Sequence, residues 1–173
     1  VAAARAAIVG GFEGTSNMEA GLLYGIPLIG TSAHSFTLVH DSEKQAFEAQ
    51  FKNNKDSTFL VDTFDVKKAI ASAVKIAGRD LKGVRIDSGD LGSLAREVRA
   101  ELDALGASST KITVTGDLDE YALLSLNSAP VDACGIGTRL VTGSGIPTSQ
   151  MVYKLVERED KNGKMQPVSK KSA

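Results

Sequence analysis

Residues 84–91 read VRIDSGDL and predict the end of a strand, a sharp turn and the start of a helix. The strand is the apolar run that ends at Ile86. Asp90 is a suitable helix N-cap, because its carboxylate can accept hydrogen bonds from the unpaired amides of the first turn. Gly106 is placed to end the helix in the left-handed conformation. One face of the helix is predicted to be apolar, with side chains at three- and four-residue steps: Leu91, Leu94, Val98, Leu102 and Leu105.

Polar side chains crowd the carboxyl end of this strand. Arg85, Asp87 and Ser88 lie beside Gly89, and Asp90 follows. Ligands bind at the carboxyl ends of strands in parallel α/β folds. A simple turn next to a solvated arginine is the alternative, but a cation, a hydroxyl and two carboxylates beside one glycine favour a binding or catalytic site.

The composition excludes several classes of protein. With 42% hydrophobic and 24% charged residues, the chain resembles an ordinary globular domain. A net charge of -1 gives no reason to expect nucleic acid or an acidic membrane as partner. No apolar run is long enough to span a bilayer. The single cysteine cannot form an internal disulfide, which fits a cytoplasmic protein.

Strands and helices alternate along the chain and predict a parallel sheet wrapped by helices. The predicted strands are 8–9, 26–29, 58–61, 81–86, 112–114, 131–134 and 151–156. The predicted helices lie within 1–7, 17–24, 41–52, 66–77, 91–105 and 118–126. Two capping boxes, Ser16 with Glu19 and Asp117 with Glu120, predict Ser16 and Asp117 as the caps of the second and the last of these helices. The strands are apolar enough for burial on both faces. An open doubly wound sheet shares this pattern, but polar clusters after several strands favour an α/β barrel, or part of one.

The expected organisation has two parts. Residues 1–150 supply a catalytic portion of the barrel, and residues 151–173 form a strand and a hairpin that lead towards a further C-terminal part. Asn162 and Gly163 predict the hairpin turn. The chain begins without an initiator methionine, so we expect a piece of a longer protein whose N-terminal domain is absent from this chain.

Other strand ends also carry candidate site residues. Residues 135–138 read GIGT, where Gly135 and Gly137 would let backbone amides approach a phosphate and Thr138 adds a hydroxyl. A tight turn is the alternative. His34 lies in a predicted polar loop, residues 30–36, where an imidazole can act as an acid, a base or a phosphoryl acceptor.

Two further groups complete the candidate list. Asp62, Asp87 and Asp90 are suited to Mg²⁺ or sugar hydroxyls, although the ligands of a metal are not fixed by the sequence. His40 is interpreted as an ordinary histidine.

Several motifs together resemble the nicotinate phosphoribosyltransferase family, in its bacterial form. They occur in the family's order and cover essentially the whole chain: GGFEGTSN at 10–17, GTSAHSF at 30–36, DTFD at 62–65, VRIDSGDL at 84–91, DLDEYA at 117–122, GIGT at 135–138 and MVYKL at 151–155. The chain departs from the family at Phe64, where many members have tyrosine.

The resemblance implies a type II phosphoribosyltransferase barrel and a reaction. Nicotinate and phosphoribosyl pyrophosphate give nicotinate mononucleotide and diphosphate in NAD synthesis, with ATP hydrolysis as a driving force and Mg²⁺ accompanying the diphosphate. His34 matches the histidine that ATP phosphorylates. Thr31 and Arg85 match nicotinate contacts, and Thr138 matches a contact to phosphoribosyl pyrophosphate.

The remaining site residues are assigned on the same basis. Asp62, Ser88 and Gly89 are expected to bind substrate, and Asp87 and Asp90 to take part in catalysis. A related enzyme that uses nicotinamide has Asn where this chain has Asp90, which supports the acid as substrate. The resemblance also implies a homodimer in the full-length protein, in which neighbouring subunits complete the site.

Two other functions remain open from the residues. Another phosphate-binding barrel enzyme, such as an aldolase or a decarboxylase, would require a lysine in a polar loop at a strand end. Lys111 and Lys154 lie in or beside predicted strands, but neither lies in such a loop. A fragment that binds phosphoribosyl compounds without turnover would not need His34. If the chain carries the family's site, one cavity should be surrounded by five of the candidate residues: His34, Asp62, Arg85, Asp87 and Thr138.

Overall fold

The computed structural model describes residues 1–143 and 145–172, apart from the side chain of Asp80. The chain divides into two compact units, Val1–Thr31 and Ser32–Ala173. The first unit contains two helices, α1 (Ala2–Val9) and α2 (Met18–Tyr24). The second contains, in order, α3 (His34–Val39), α4 (Glu43–Asn53), β1 (Thr58–Leu60), α5 (Val66–Ala77), a 3₁₀ turn (Gly78–Asp80), β2 (Gly83–Ile86), α6 (Leu91–Ala104), β3 (Lys111–Val114), α7 (Glu120–Leu126), β4 (Ala133–Cys134), α8 (Thr138–Thr142), β5 (Glu157–Glu159) and β6 (Met165–Pro167).

The second unit is built on a four-stranded parallel sheet. Its strand order is β1-β2-β3-β4, so every strand pairs with the next one along the chain. A doubly wound sheet reverses its strand order at a switch point, whereas a barrel does not. The order is therefore that of part of an α/β barrel, as the sequence predicts.

The helices between the strands form a continuous layer against one face of the sheet. Helices α4, α5, α6 and α7 each contact the next in the series. Their apolar faces and the strands enclose one core, in which Phe59 stacks on Phe47 with ring centroids 4.8 Å apart and meets Phe51 edge-on at 6.3 Å. The largest fully buried side chains are mostly members of this core: Phe47, Phe59, Leu60, Ile70, Ile86, Leu102, Ile112, Val61, Val84, Val98 and Val114.

The expectation of burial on both faces holds for β1, where Phe59 and Leu60 are both fully buried, but the two faces of β2 differ. Val84 and Ile86 face the helical core and are fully buried. Successive side chains of a strand point to opposite faces, so Gly83 and Arg85 lie on the other face. Arg85 is only half-buried there. The alternation leaves a small residue and a cation on the face away from the helices, and this is the face that supplies the functional cluster.

Several predicted elements are confirmed and others are wrong. Residues 8–9 end helix α1 instead of forming a strand, and 26–29 make only a bridge at Leu28 with Thr15. Residues 151–156 are outside any strand, and β5 begins at Glu157. These short apolar runs have no neighbouring strand to pair with in the described structure, and hydrogen bonding decides what is a strand.

The observed helix boundaries agree with the predicted ones better than the observed capping residues do. Gly106, with φ of 74°, follows α6 in the left-handed conformation, as predicted. The cap of α2 is Asn17 instead of Ser16, because the Asn17 side chain accepts from the Ala20 amide at 2.8 Å. Likewise α7 is capped by Asp119 and not by Asp117. Two adjacent capping residues cannot be ranked from their types alone.

The C-terminal segment forms a hairpin followed by an extended stretch. Strands β5 and β6 pair antiparallel around a turn that contains Asn162 and Gly163, as predicted. Arg158, on β5, pairs with Asp41 at 2.9 Å. Within the described residues no helix is both long and apolar enough to cross a bilayer.

Phe59→Ala should destabilise the protein by about 3–5 kcal/mol, because it removes a fully buried ring and leaves a cavity beside Phe47. Urea unfolding followed by circular dichroism measures the change. Leu124→Ala is the control, since Leu124 is 75% exposed and its truncation should cost less than about 0.5 kcal/mol. Equal losses in the two variants would contradict the described core.

Candidate functional site

The parallel register brings polar residues from three strand ends into one row. Val61 N donates to Arg85 O at 3.0 Å, which places Asp62 beside Asp87. Thr115 N donates to Ile86 O at 3.0 Å, which places Thr115 on the other side of Asp87. Asp87 and Thr115 directly follow β2 and β3, and Asp62 comes two residues after the end of β1, so the carboxyl edge of the sheet carries the row.

Arg85, Asp87 and Thr115 form a closed hydrogen-bonded group. Arg85 Nη2 donates to Asp87 Oδ1 at 2.7 Å, and Arg85 Nε donates to Thr115 Oγ1 at 2.7 Å. The Thr115 hydroxyl in turn donates to Asp87 Oδ1. Arg85 Nη1 also donates to Ser32 O at 3.3 Å, which ties the segment before α3 to the group. The guanidinium group is therefore held in one orientation at the strand end.

Asp87 is ionised in this setting. Burial raises the pKa of Asp87, but hydrogen bonds and the charge of Arg85 lower it more. The lowering contributions come from the nearby His34 ring, from Thr115 and from Arg85. The net effect holds the pKa of Asp87 well below its usual range, so the site keeps a carboxylate at neutral pH.

Asp62 is fully buried and its two oxygens have different surroundings. Oδ2 accepts from the Asp87 amide at 3.0 Å, from Ser88 Oγ at 2.6 Å and from Lys170 Nζ at 3.2 Å. Oδ1 is buried without a hydrogen-bond partner. It faces His34 Nε2 across 3.7 Å. A buried carboxylate oxygen without a donor lowers the stability of the fold. Its orientation towards His34 is therefore more consistent with a functional role than with a stabilising one.

His34 begins helix α3, whereas the sequence predicted a loop at this position. Its Nδ1 is hydrogen-bonded to Thr63 Oγ1 at 3.0 Å, which fixes the ring. Nε2 lies 3.7 Å from Asp62 Oδ1 and 3.7 Å from Asp87 Oδ2. This nitrogen is buried without a hydrogen-bond partner, although 21% of the side chain is exposed. Two carboxylate oxygens therefore lie at the same distance from the one imidazole nitrogen that has no hydrogen-bond partner.

Lys170 and Thr115 are residues of this cluster that sequence reasoning missed. Lys170 comes from the C-terminal segment. Its ammonium group contacts Asp62 and also donates to Ser88 Oγ. It follows β6 in an extended stretch, and nothing in the sequence distinguishes it from Lys171 beside it. A contact between residues 108 positions apart has no local signature. The chain therefore does bring a lysine to the strand ends, unlike Lys111, which pairs with Asp132 at 2.7 Å.

Asp90 and Gly89 lie at the edge of this cluster. Asp90 is exposed and caps α6, accepting from Ser93 N at 3.1 Å and from Ser93 Oγ at 3.0 Å. The hydrogen bond from the Ser93 amide lowers the pKa of Asp90. Gly89 has φ of 79°, a backbone conformation that suits glycine in the turn before the helix. Cap and turn are the roles that the structure gives these two residues, and their part in catalysis or substrate binding stays a prediction.

The glycine loop after β4 contributes in two ways. A Cβ on Gly135 would lie 2.5 Å from Thr115 Cγ2, so a residue without a side chain is needed next to the Arg85 group. Gly137 precedes helix α8, which begins at Thr138. Thr138 lines a small depression with six other residues. They are Asp117, Arg139, Ile146, Pro147, Thr148 and Gln150.

The predicted residues are thus distributed over two places at the carboxyl edge of the sheet. His34, Asp62, Arg85 and Asp87 are brought together, as expected. Thr138 lies instead in the depression after β4, beside Arg139, which the sequence analysis did not single out. Thr31 is the last residue of the first unit. The predicted contact of Thr31 with nicotinate stays a prediction. His40 is the residue that follows α3, with Nδ1 2.7 Å from Phe36 O.

Comparison with known proteins decides the family. The model of the nicotinate phosphoribosyltransferase (NAPRTase) family matches residues 1–173, which is the whole chain. The chain belongs to the nicotinate phosphoribosyltransferase family. It is similar to nicotinate phosphoribosyltransferase pncB1 of Mycobacterium tuberculosis, with 52% identity over 166 residues that cover 91% of this chain and 37% of that protein. Nicotinate phosphoribosyltransferase of Bacillus subtilis is 39% identical over 170 residues, which cover 94% of this chain and 34% of that protein.

Solved structures of the family support the fold. The crystal structure of nicotinate phosphoribosyltransferase from Porphyromonas gingivalis matches with a TM-score of 0.76 and 21% identity, over 90% of this chain and 44% of that one. That of nicotinate-nucleotide pyrophosphorylase from Pyrococcus furiosus matches with a TM-score of 0.71 and 25% identity, over 95% and 48%. The type II phosphoribosyltransferase fold is therefore confirmed. The chain spans roughly a third of the length of the two curated relatives.

The residues do not form a metal site by themselves. Among the described residues no group of three or more histidines, cysteines, aspartates and glutamates is arranged to hold a metal ion. Mg²⁺ commonly binds through one or two carboxylates and the phosphates of a substrate. The ionised carboxylate of Asp87 fits that partial role, and a complete set of ligands would need the substrate.

Glu43, near Asp62, has an unusual environment for a surface helix. It is the first residue of α4, and its Oε1 is buried without a hydrogen-bond partner. Burial, followed by the negative charges of Asp65 and Asp62, raises the pKa of Glu43 to about 7. The side chain therefore titrates close to neutral pH.

Glu43→Gln should change how stability depends on pH. The pKa of Glu43 rises from 4.5 to about 7 on folding, so its contribution to stability is complete below pH 4.5 and is lost as pH rises through about 7. Glutamine mimics the protonated form, so the variant should match the wild type at low pH and exceed it above neutrality. Urea midpoints measured across this range test the expectation. Glu48→Gln, at an exposed position of the same helix, is the control. Parallel profiles of stability against pH for Glu43→Gln and the wild type would contradict the prediction.

Proposed function

We propose that the protein containing this chain transfers the phosphoribosyl group of phosphoribosyl pyrophosphate to nicotinate, releasing diphosphate. The product is nicotinate mononucleotide, a precursor in NAD synthesis. The observation that carries the proposal is the cluster of Arg85, Asp87, Asp62 and His34 at the strand ends of a chain that belongs to this family. The cluster provides a cation for the carboxylate of nicotinate and carboxylates for a cationic transition state.

Arg85 is the proposed partner of nicotinate. A guanidinium group can bind a carboxylate through two parallel hydrogen bonds. In the structure it is already bonded to Asp87, Thr115 and the Ser32 carbonyl. The incoming carboxylate therefore shares Arg85 with Asp87 or replaces one of these contacts. The existing contacts hold the group in place before the substrate arrives.

Asp87 is the proposed stabiliser of the reacting sugar. Displacement of diphosphate at the anomeric carbon develops positive charge on the ribose ring, and an ionised carboxylate nearby stabilises that charge. The low pKa of Asp87 keeps it ionised at neutral pH. Asp62 is fully buried, and we assign it to holding the Asp87 amide and His34 rather than to direct contact with the sugar.

The depression after β4 is the proposed place of a phosphate group. Thr138 offers a hydroxyl there, and Arg139 offers a positive charge. The amides of the glycine loop, residues 135–137, add donors of the kind that bind anions. Asp117 lines the same depression, and its negative charge would oppose a bare phosphate. Mg²⁺ bound with the substrate would supply positive charge that screens such carboxylates.

His34 is the proposed acceptor of a phosphoryl group from ATP. Nδ1 is occupied by Thr63, which leaves Nε2 as the reactive nitrogen. Two carboxylates lie 3.7 Å from Nε2 and would repel a phosphoryl group as long as they are uncompensated. Arg85 and Lys170 each pair with one of these carboxylates, which reduces the repulsion.

The remaining assignments follow from family membership. We propose a homodimer for the full-length protein and a cytoplasmic location, which the single cysteine fits. The lysine-dependent alternative loses its support, because Lys170 Nζ is engaged with the buried carboxylate of Asp62 and with Ser88, whereas a Schiff-base lysine must reach the substrate.

Arg85→Ala should weaken nicotinate far more than phosphoribosyl pyrophosphate. Loss of one partner of a buried charge pair costs about 3–5 kcal/mol, equivalent to about a hundredfold or more in KM for nicotinate. Arg85→Lys should be intermediate, because lysine keeps the charge and loses the two-pronged geometry. Steady-state kinetics of the full-length protein measure both constants. Arg96→Ala, on the exposed face of α6, is the control, and equal weakening of both substrates would assign Arg85 a general structural role.

His34→Ala should separate ATP use from transfer. Wild-type protein incubated with labelled ATP should form an acid-labile, base-stable phosphoprotein, as expected of a phosphorylated histidine. The variant should lose the label and the ATPase activity, while transfer itself continues because diphosphate is already a good leaving group. His40→Ala should keep the label and the ATPase activity. Label on the His34→Ala protein, together with ATP-driven synthesis, would contradict the proposal.

A further inference from the structure

Lys170 makes the longest-range contact of the cluster. Its ammonium group lies 3.2 Å from Asp62 Oδ2 and also donates to Ser88 Oγ, while the Ser88 hydroxyl donates to the same carboxylate oxygen at 2.6 Å. The carboxylate is fully buried and the lysine side chain is 25% exposed. A buried carboxylate requires both charge compensation and hydrogen bonds, and Lys170 supplies the positive charge at Oδ2.

The position of Lys170 is fixed by the backbone on both sides of it. Lys171 N donates to Thr63 O at 2.9 Å, and Ser172 N approaches the same oxygen at 3.3 Å. On the other side, Val168 N donates to Val156 O at 2.8 Å. Thr63 directly follows Asp62, so the segment is attached next to the carboxylate that Lys170 contacts. A lysine held in this way differs from a long surface side chain that samples many positions.

The contact is one of three that together hold the carboxylate of Asp62 in its orientation. The three hydrogen bonds described above, from Asp87, Ser88 and Lys170, all reach Oδ2. Oδ1 is left without a donor, 3.7 Å from the equally unpaired Nε2 of His34. If the Lys170 contact were lost, Oδ2 would keep its hydrogen bonds from the Asp87 amide and from Ser88, but it would lose the cation that compensates its charge. The geometry at Nε2 therefore depends on a residue that does not touch His34.

We propose that Lys170 is a positioning residue, which holds the carboxylate of Asp62 so that Oδ1 faces His34 Nε2. The inference rests on the proposed function, because the work that it supports is the phosphoryl chemistry of His34. Lys170 acts through Asp62 and contacts neither nicotinate nor the phosphoribosyl group.

The test compares four variants of the full-length protein. Lys170→Met keeps most of the side-chain volume and removes the charge, Lys170→Gln keeps a hydrogen-bond donor, and Lys170→Arg keeps the charge. Lys171→Met is the matched control, since its side chain is exposed and only its backbone takes part in the described contacts. The readouts are the rate of label uptake from ATP, the rate of ATP-driven synthesis and KM for each substrate.

Lys170→Met should slow label uptake and ATP-driven synthesis about 10- to 100-fold, the loss typical of a hydrogen bond to a charged group. KM for phosphoribosyl pyrophosphate should change by less than about twofold, since no substrate contact is lost. Lys170→Arg should restore most of the rate, and Lys171→Met should resemble the wild type. If Lys170→Met does not fold, as judged by its thermal unfolding midpoint, Lys170→Gln replaces it with the same expectation.

The decisive measurement combines Lys170→Met with His34→Ala. If Lys170 acts through Asp62 on His34, the second substitution should leave the residual ATP-independent transfer of His34→Ala unchanged within about twofold, because the two effects are not additive. A fall in that residual transfer, with a raised KM for phosphoribosyl pyrophosphate, would show a direct substrate contact and overturn the proposal. Wild-type rates in Lys170→Met and Lys170→Gln would overturn it as well.

Failure of this inference is distinguishable from failure of the proposed function. If the wild-type protein forms no nicotinate mononucleotide and takes up no label, the proposed function itself is wrong. If the wild type does both and the folded Lys170→Met protein equals it, only the positioning role of Lys170 is wrong.

Discussion

One backbone hydrogen bond, from Val61 N to Arg85 O, fixes the geometry on which the site depends. It continues the pairing of β1 and β2 by one residue beyond β1, and Asp62 then lies where its carboxylate can accept from the Asp87 amide. A slip of one residue in this register would turn each side chain of the strand to the opposite face. The carboxylates of Asp62 and Asp87 would separate, whereas Arg85 and Asp87, which belong to the same strand end, would stay together. The chemistry of the cluster is thus a consequence of sheet register.

The cluster brings two negative charges to one imidazole, which is unfavourable unless each charge is compensated. The structure provides one cation for each carboxylate, Arg85 for Asp87 and Lys170 for Asp62. Buried ion pairs contribute little net stability, because desolvation offsets most of their attraction. What they confer here is orientation. Hydrogen bonds to one oxygen of each carboxylate, Asp87 Oδ1 and Asp62 Oδ2, leave the other oxygen of each facing His34 Nε2.

The parts of the molecule that local chemistry controls could be predicted from the sequence. The strand, turn and helix around residues 84–91 follow from an apolar run, a glycine and a capping aspartate, and all three are confirmed. The grouping of Asp62, Arg85 and Asp87 was also predictable, since the carboxyl ends of parallel strands share one edge. His34 reaches them from the start of helix α3, because the strand predicted before it forms only a bridge. Thr138 was placed less well, because a short helix carries it into a separate depression.

What the sequence did not reveal has physical reasons. Lys170 and Lys171 are adjacent and chemically identical, and only the tertiary course of the chain decides which of them reaches Asp62. The apolar run at 151–156 resembles a strand but has no partner in the described structure. The choice of Asn17 over Ser16 as cap depends on backbone angles that both residues tolerate.

The long separation of Lys170 from Asp62 also has a consequence for biosynthesis. Strand β4 ends at Cys134, so the whole parallel sheet is made before Lys170 is added. Domains fold from the N-terminus as synthesis proceeds at about 5–20 residues per second, so the stretch from Cys134 to Lys170 corresponds to a delay on the order of a few seconds. During that interval all four strands of the sheet have been synthesised, and the lysine that pairs with Asp62 has not. The strands of the sheet are therefore synthesised first, and the lysine that completes the site is added afterwards.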